Sequence, residues 1–473
     1  MGHHRADSRR TGIRRRARLR PWGASALALT ALLVPAGARA AGALEVLAQE
    51  AAQSLVQTPA PSVVVAAPLA ADQHVPRGDE LALRVAALLA GRIGASARAH
   101  TQTALLATAR AIAGRAGALV YVQTEISKGD IRTTVDVYPS VANSWDRIRN
   151  RPGGPIAHAF ATSKLDAEVR SFMPTLVLEE ASVHRARHDE QDVLAAACGD
   201  VDGDGGDEIV LVSRERVALG RVRAGRFVVD RAAAWSELSP RAAVPVREPL
   251  AGAVVEPGSV SVGSTERGAL SLTPDFVAHT PLYGIPARGA EGIVCLQPEP
   301  SAGAFDGAPV DCAVARNNKP KMAVPAPRFD AFSAAAIADA HGDARTIVAA
   351  REPSGKLKLK AADGAPQAPD GAFGAQLAVA DLDQDGVPEI AASADGPDDA
   401  VDVFSWPSDG AELRPRLHVP APAGVHALAA CPPEQGGAPV LVAVVGGEIW
   451  LIRAEARDGD AAAPAGAARQ DGP

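Results

Sequence analysis

GDVDGDGGDEIVLVS, residues 199 to 213, and ADLDQDGVPEIAASA, residues 380 to 394, share the pattern D-x-D-x-D-G-x-x-E-I. Alternate residues of a tight loop can turn their oxygens towards one centre. Asp200, Asp202 and Asp204 with Glu208 therefore make one candidate cation cage, and Asp381, Asp383 and Asp385 with Glu389 make a second. A backbone carbonyl from Gly206 in the first loop and from Val387 in the second adds another oxygen to each set. Gly205 and Gly386 stand where the chain must bend sharply and a side chain would obstruct the ion. Calcium accepts roughly six to eight oxygens in flexible geometry, whereas magnesium demands a stricter octahedron and retains its water. The pattern predicts two calcium sites.

The residues after each loop exclude a helical calcium hand. That motif needs a glutamate at the twelfth loop position, where this chain has Leu211 and Ala392. Ile209-Val210-Leu211-Val212 is instead a strand-forming run. Clustered carboxylates also resist joint ionisation, so a bound cation explains eight acids at this spacing better than acid/base pairs do.

Phe373-Gly374-Ala375-Gln376-Leu377, leading by a strand into Asp381, resembles the FG-GAP repeat, also called the VCBS repeat, of integrin-like β-propellers. The resemblance implies a four-stranded blade per repeat, with calcium held in the acidic loop between the first two strands. The first copy lacks the Phe-Gly start and has Val193-Leu194-Ala195-Ala196-Ala197-Cys198 in its place. Phe332 to Ala350 is a degenerate copy with Asp339 and Asp343 but His341 between them and Ala344 for the glycine, which predicts a blade without metal. Leu428 to Ile452 repeats the Ala-Ala-Cys of residues 196 to 198 and a hairpin, with the acids lost. Cys198 and Cys431 are 233 residues apart, five steps of about 47, near the period of blade repeats. Six blades are expected, with five or seven as alternatives.

The expected propeller spans residues 174–453. Thr175 to Val183 precedes the first blade and is expected to complete the last one, closing the ring and removing two sheet edges. Closure would set Cys198 beside Cys431, as a disulfide or as two buried thiols. Cys295 and Cys312 could bridge a loop rich in Pro, Gly and Ala, although four cysteines allow three pairings. No CxxC pair points to zinc or thiol redox chemistry.

Residues 41–173 read as a small α/β domain. Ser62 to Ala66 is a β-branched strand, and Asp79 is the expected N-cap of a helix with Leu81, Val85, Leu88 and Leu89 on one face and Gly94 as its stop. A second helix is expected from Thr103 to Arg115. Strands Leu119 to Ile126 and Ile131 to Val137 flank a hairpin turn at Ser127-Lys128-Gly129-Asp130. This β-α-α-β-β order resembles the N-terminal domain of TolB-type periplasmic proteins.

The chain of 473 residues carries 48 Lys+Arg and 55 Asp+Glu, but its first 40 residues hold nine arginines and one aspartate. The remainder has 39 basic and 54 acidic groups, a balance of −15, which disfavours a nucleic-acid groove. Residues 1–40 pair that basic start with an apolar run from Ala24 to Val34 and Ala38-Arg39-Ala40, predicting a signal peptide cleaved after Ala40. Ser8-Arg9-Arg10 begins like a twin-arginine signal, but Gly12 and Ile13 depart from it, so the general secretory route is the default. No later apolar stretch reaches membrane-spanning length, so a soluble periplasmic or secreted protein with no transmembrane anchor is expected. Residues 454–473 read as a disordered tail.

No G-x-S-x-G, H-E-x-x-H or GxxxxGK[ST] motif occurs, and no catalytic residue is expected. His184 and His188 fall in a charged stretch that reads as a solvated linker. Arg77-Gly78-Asp79 matches an integrin-recognition tripeptide by letters, while Asp79 already has a capping role. Trp145, Trp235, Trp406 and Trp450 read as packing residues more readily than as sugar platforms. The expected function is non-enzymatic binding of a protein or glycan in the envelope or outside the cell. The alternative is an exported hydrolase or lyase whose site lies on the propeller face.

Overall fold

The computed structural model describes residues 42–55, 61–70, 75–114, 118–127, 129–139, 154–239, 244–277, 279–299, 303–313, 320–338, 343–362, 364–394, 396–407, 410, 412–433 and 438–457. The expected signal peptide, Lys128, Trp145, Asp339, His341 and all but four residues of the expected tail lie outside them. The described chain is mostly strand, with several sheets and a small helical amino-terminal region.

The amino-terminal sheet contains β1 (Ser62–Ala66), β2 (Ala97–Ala99), β3 (Ala118–Ser127), β4 (Asp130–Pro139) and β5 (Ala157–Lys164), in the order β2-β1-β3-β4-β5. Helices α1 (Ala43–Ser54) and α2 (Gly78–Ile93) cover one face, where Leu44, Leu47, Leu81, Val85 and Leu89 pack on Val64, Val120 and Val135. Burying each such side chain contributes about 1.5–3 kcal/mol. Helix α3 (Leu106–Ala113) covers the other face through Ala109 and Ala113.

The β3-β4 hairpin forms with Ser127 opposite Asp130, as the turn residues require. Gly94 ends α2 with a φ of 119°. Asp79 is not the N-cap: Arg77 holds that place, because the turn made by Gly78 N–H on the Val75 carbonyl starts the helix earlier. The Asp79 carboxylate instead accepts the Thr103 hydroxyl at 3.0 Å. The sequence reading missed α1, β2 and β5, and α3 is shorter than expected.

After α4 (Ala167–Arg170) come β6 (Leu176–Arg187) and the strands β7 (Val193–Gly199), β8 (Glu208–Ser213), β9 (Arg216–Arg223) and β10 (Arg226–Ala234), then α5 (Trp235–Leu238). The next sheet is β11 (Ala251–Glu256), β12 (Ser259–Ser264), β13 (Gly268–Leu272) and β14 (His279–Leu282). Two short pairs come after it: β15 (Ile285–Gly289) with β16 (Gly292–Leu296), and β17 (Phe305–Asp306) with β18 (Arg328–Phe329). Next are β19 (Ala331–Ala338), β20 (Ala344–Arg351) and β21 (Leu357–Ala361), then β22 (Leu377–Ala380), β23 (Glu389–Ser393), β24 (Ala400–Ser405) and β25 (Arg414–Pro420). The last are β26 (Val425–Cys431), β27 (Val440–Val445) and β28 (Glu448–Ala456).

Successive sheets pack face to face. β7 and β8 share a cluster with β11 to β13 around Val210, Val255 and Leu270, and β19 to β21 share one with β22 and β23 around Leu359 and Ile390. Second strands, lying between two neighbours, are buried on both faces: every residue of β8, β23 and β27 is buried. Fourth strands are largely exposed, as β14 and β25 show. First strands meet in sequence, β7 with β11, β11 with β15, β15 with β19, β19 with β22, β22 with β26, and β26 with β7.

β6 pairs antiparallel with β28, so the segment before the first repeat joins the last sheet. Its pairing runs through His184 to Arg187, and His188 just beyond is buried with its Nε2 against the Gly446 carbonyl at 3.1 Å. The His-rich stretch is therefore strand, not solvated linker, because β28 supplies its ladder partner. The same pairing extends β28 beyond the expected end at Arg453, with Glu455 opposite Val177 and Ala456 opposite Leu176. Disulfides join Cys198 to Cys431, between β7 and β26, and Cys295 to Cys312. Such bonds suit an oxidising compartment. Trp235, Trp406 and Trp450 are buried. Among the described residues no helix is long and apolar enough to cross a membrane.

Candidate metal centres

Each acidic loop leaves the end of a first strand and enters a second, β7 to β8 and β22 to β23. Their turns are matched. Asp200 accepts Gly203 and Gly205 N–H at 2.7 and 3.2 Å, and Asp381 accepts Gly386 N–H at 3.1 Å. Asp202 and Asp383 accept the N–H two residues on, as do Asp204 from Gly206 and Asp385 from Val387. Gly205 and Gly386 have φ of 94° and 84°, in the left-handed region that favours glycine. Glu208 Oε2 accepts Val201 N–H and Glu389 Oε2 accepts Leu382 N–H, both at 2.8 Å, tying each loop's exit back to its entry.

Carboxylate oxygens of Asp200, Asp202 and Glu208 lie within 4.8 Å of one another, as do those of Asp381, Asp383 and Asp385. Asp204 falls outside the first group and Glu389 outside the second. Glu389 is fully buried, and its Oε1 accepts the Ser405 hydroxyl at 3.1 Å.

Charge balance separates the loops. Arg221, from β9, reaches into the first, bonding Glu208, Asp204 at 2.7 Å and Asp202 at 3.3 Å. It holds the Asp204 carboxyl below its ordinary value, and the acids raise Arg221 in turn. The second loop is deeper. Burial pushes Asp381 up to about 7, opposed by Arg170. Burial with the charges of Asp383 and Asp381 pushes Glu389 up to about 10. Asp383 is raised by burial and by Asp385 against the opposing pull of Arg416 at 2.8 Å, which also bonds Glu179 and Ser405. Arg170 of α4 stands 3.8 Å from Asp381 and donates to the Ala338 carbonyl at 3.2 Å. A cavity of about 450 Å³ opens onto Asp383 and Asp385.

The donor sets fit a hard divalent cation: they are all oxygen, drawn from one turn, and in the second loop burial and mutual repulsion hold Asp381 and Glu389 towards neutrality, a cost that a bound cation would relieve. In the first loop a guanidinium already takes the cation's place. The motif reading missed Arg221, Arg170 and Arg416, which lie on other elements, and no spacing rule ties them to the loops.

The Phe-Gly lead-in has a packing reason. Phe373 meets Phe404 edge to face with centroids 5.8 Å apart, and a Cβ on Gly374 would stand 2.9 Å from the Ser393 backbone carbon.

No protein-family model matches the chain, and no curated protein matches it. Solved structures give distant likenesses. A DUF4623 family protein from Bacteroides eggerthii DSM 20697 is 10% identical over 69% of this chain and 82% of that one, with a TM-score of 0.39. U3-55K is 11% identical over 70% and 94%, with a TM-score of 0.31. TolB from Acinetobacter baumannii is 10% identical over 85% and 96%, with a TM-score of 0.27. At these scores the likenesses carry no weight on family or function.

Proposed function

We propose that this is an exported, calcium-stabilised β-propeller of the FG-GAP/VCBS kind, with six blades and no chemistry of its own, that binds a protein or glycan partner. The carrying observation is the duplicated acidic loop, with one turn geometry at two places 181 residues apart (Asp200 and Asp381). The cycle of contacts among the six first strands supports the ring, with β6 completing the sixth blade. The disulfides support export, as does the basic-then-apolar amino terminus. In this reading Asp381, Asp383 and Asp385 hold one ion, and Asp200, Asp202 and Glu208 hold a second once Arg221 gives way. The ion supplies countercharge that fixes the loop between two strands, and the protein's part is to orient the oxygens and exclude water from Glu389.

The reading is tested by screening the mature protein against immobilised glycans and envelope proteins in calcium and in chelator, alongside polysaccharide and ester substrates. Saturable, calcium-dependent binding without turnover is expected. Turnover abolished by a single pocket substitution would replace this reading with the hydrolase or lyase alternative.

A further inference from the structure

A cavity of about 540 Å³ is walled by the first strands β7, β11, β15, β19, β22 and β26. Its volume falls in the range of small-molecule sites. Each of these strands ends its sheet, so alternate backbone N–H and C=O groups face away from any ladder partner. One such group, Val379 N–H, is met by the Ser333 hydroxyl of the neighbouring β19 at 3.0 Å. The remaining wall is dominated by alanine and other small residues, which leaves the backbone approachable.

Four charged residues break this pattern, Glu248, Arg288, Asp330 and Arg351. Arg288 lines the cavity, is exposed by surface area, and yet is packed round by protein, so burial lowers its guanidinium below the ordinary value despite nearby Glu256 and Asp207. Its hydrogen bond goes to the Val255 carbonyl at 2.9 Å, and no carboxylate of the described residues lies within ion-pair distance. Asp330 also lines the cavity. Its Oδ2 pairs with Arg351 at 2.5 Å and its Oδ1 is shut off from the cavity, so this pair is already satisfied within the wall. A guanidinium without a counter-ion favours a planar carboxylate, which it can grip with two parallel bonds. Open strand edges, with backbone N–H and C=O groups lacking a ladder partner, favour hydroxyl groups.

We propose that this cavity binds a small polyhydroxylated carboxylate, a monomeric sugar acid, with its carboxylate on Arg288 and its hydroxyls on the open strand edges. Arg288 feels Asp207 of the first loop, but no residue of the second loop lines the cavity, so failure of this proposal leaves calcium binding at the second loop untouched. Calorimetric titration of the full mature protein with glucuronate, glucose and acetate tests it, with thermal melts to confirm folding. Glucuronate is expected to bind saturably and more tightly than either control, and Arg288→Gln to weaken it at least about tenfold. Arg288→Lys, which keeps the charge and loses the fork, provides a milder variant and is expected to weaken binding by several-fold. Absence of glucuronate binding, equal affinity for glucose or acetate, or unchanged affinity in folded Arg288→Gln or Arg288→Lys would overturn the proposal.

Discussion

Residues 199–213 and 380–394 fold the same loop and balance it differently. Both place three aspartates on one turn, both bend at a left-handed glycine, and both close through a buried glutamate onto a backbone N–H. The first opens towards Arg221, which supplies a positive centre from within the chain. The second is pressed between α4, β6 and β25, where Arg170 and Arg416 reach Asp381 and Asp383, yet burial drives Asp381 and Glu389 towards neutrality. Spacing along a motif thus determines a turn, whereas the need for an ion is set by whatever the rest of the fold brings against it. On the proposed reading, the second loop is expected to be the stronger calcium site.

The loops are also anchored differently, and the largest expected effect breaks that contrast. The Cys198–Cys431 disulfide pins the strand entering the first loop and closes 233 residues of chain. Replacing both cysteines by alanine is expected to cost about 2–4 kcal/mol in chemical denaturation. Calcium-dependent stabilisation assigned to the second loop is expected to survive.

Asp383→Ala sharpens the contrast from the other side. With calcium at a hundredfold excess over its dissociation constant, linkage stabilises the fold by about 2.7 kcal/mol. That calcium-dependent rise in melting temperature is expected to fall mostly with Asp383→Ala and only slightly with Asp202→Ala. Equal losses would erase the difference between the loops. Arg221→Gln is expected to cost about 1–3 kcal/mol in chelator, because it leaves Glu208 buried without its partner. Calcium is expected to restore much of that loss, making the first loop behave like the second.

A further expected effect is in pH. A raised carboxyl value favours the protonated folded form, so its contribution is fully present below about pH 4 and is lost as pH rises through about 7 for Asp381. In chelator, stability is therefore expected to decline from pH 4 to 7 at this site. Calcium needs the deprotonated carboxylates, so the gain from calcium is expected to be larger at pH 8 than at pH 5.5. Melts of Asp381→Asn across that range are expected to show a flattened dependence.

Local features were legible in the sequence because local chemistry causes them. The acidic loops, the Ser127 to Asp130 hairpin, the stop at Gly94 and the pairing of β6 with the last sheet all arise from turn residues, strand runs or an unmatched strand end. Residues 244–313 carry no comparable signal. Their sheets use short strands such as Ser259–Ser264 and Gly268–Leu272, whose Gly and Ser content hides alternation that neighbouring sheets then enforce. Gly252 illustrates this, since a Cβ there would meet the Pro286 carbonyl oxygen, a contact set by another sheet. The arginines at the loops were unreadable for the same reason, as each arrives from a distant element.

Calcium titration calorimetry on chelator-treated protein, comparing the wild type with Asp383→Ala and Asp202→Ala, tests the central claim most directly. The expected result is two unequal sites, the tighter lost in Asp383→Ala and retained in Asp202→Ala. An absence of binding heat in the wild type, or loss of the tighter site in Asp202→Ala instead, would contradict it.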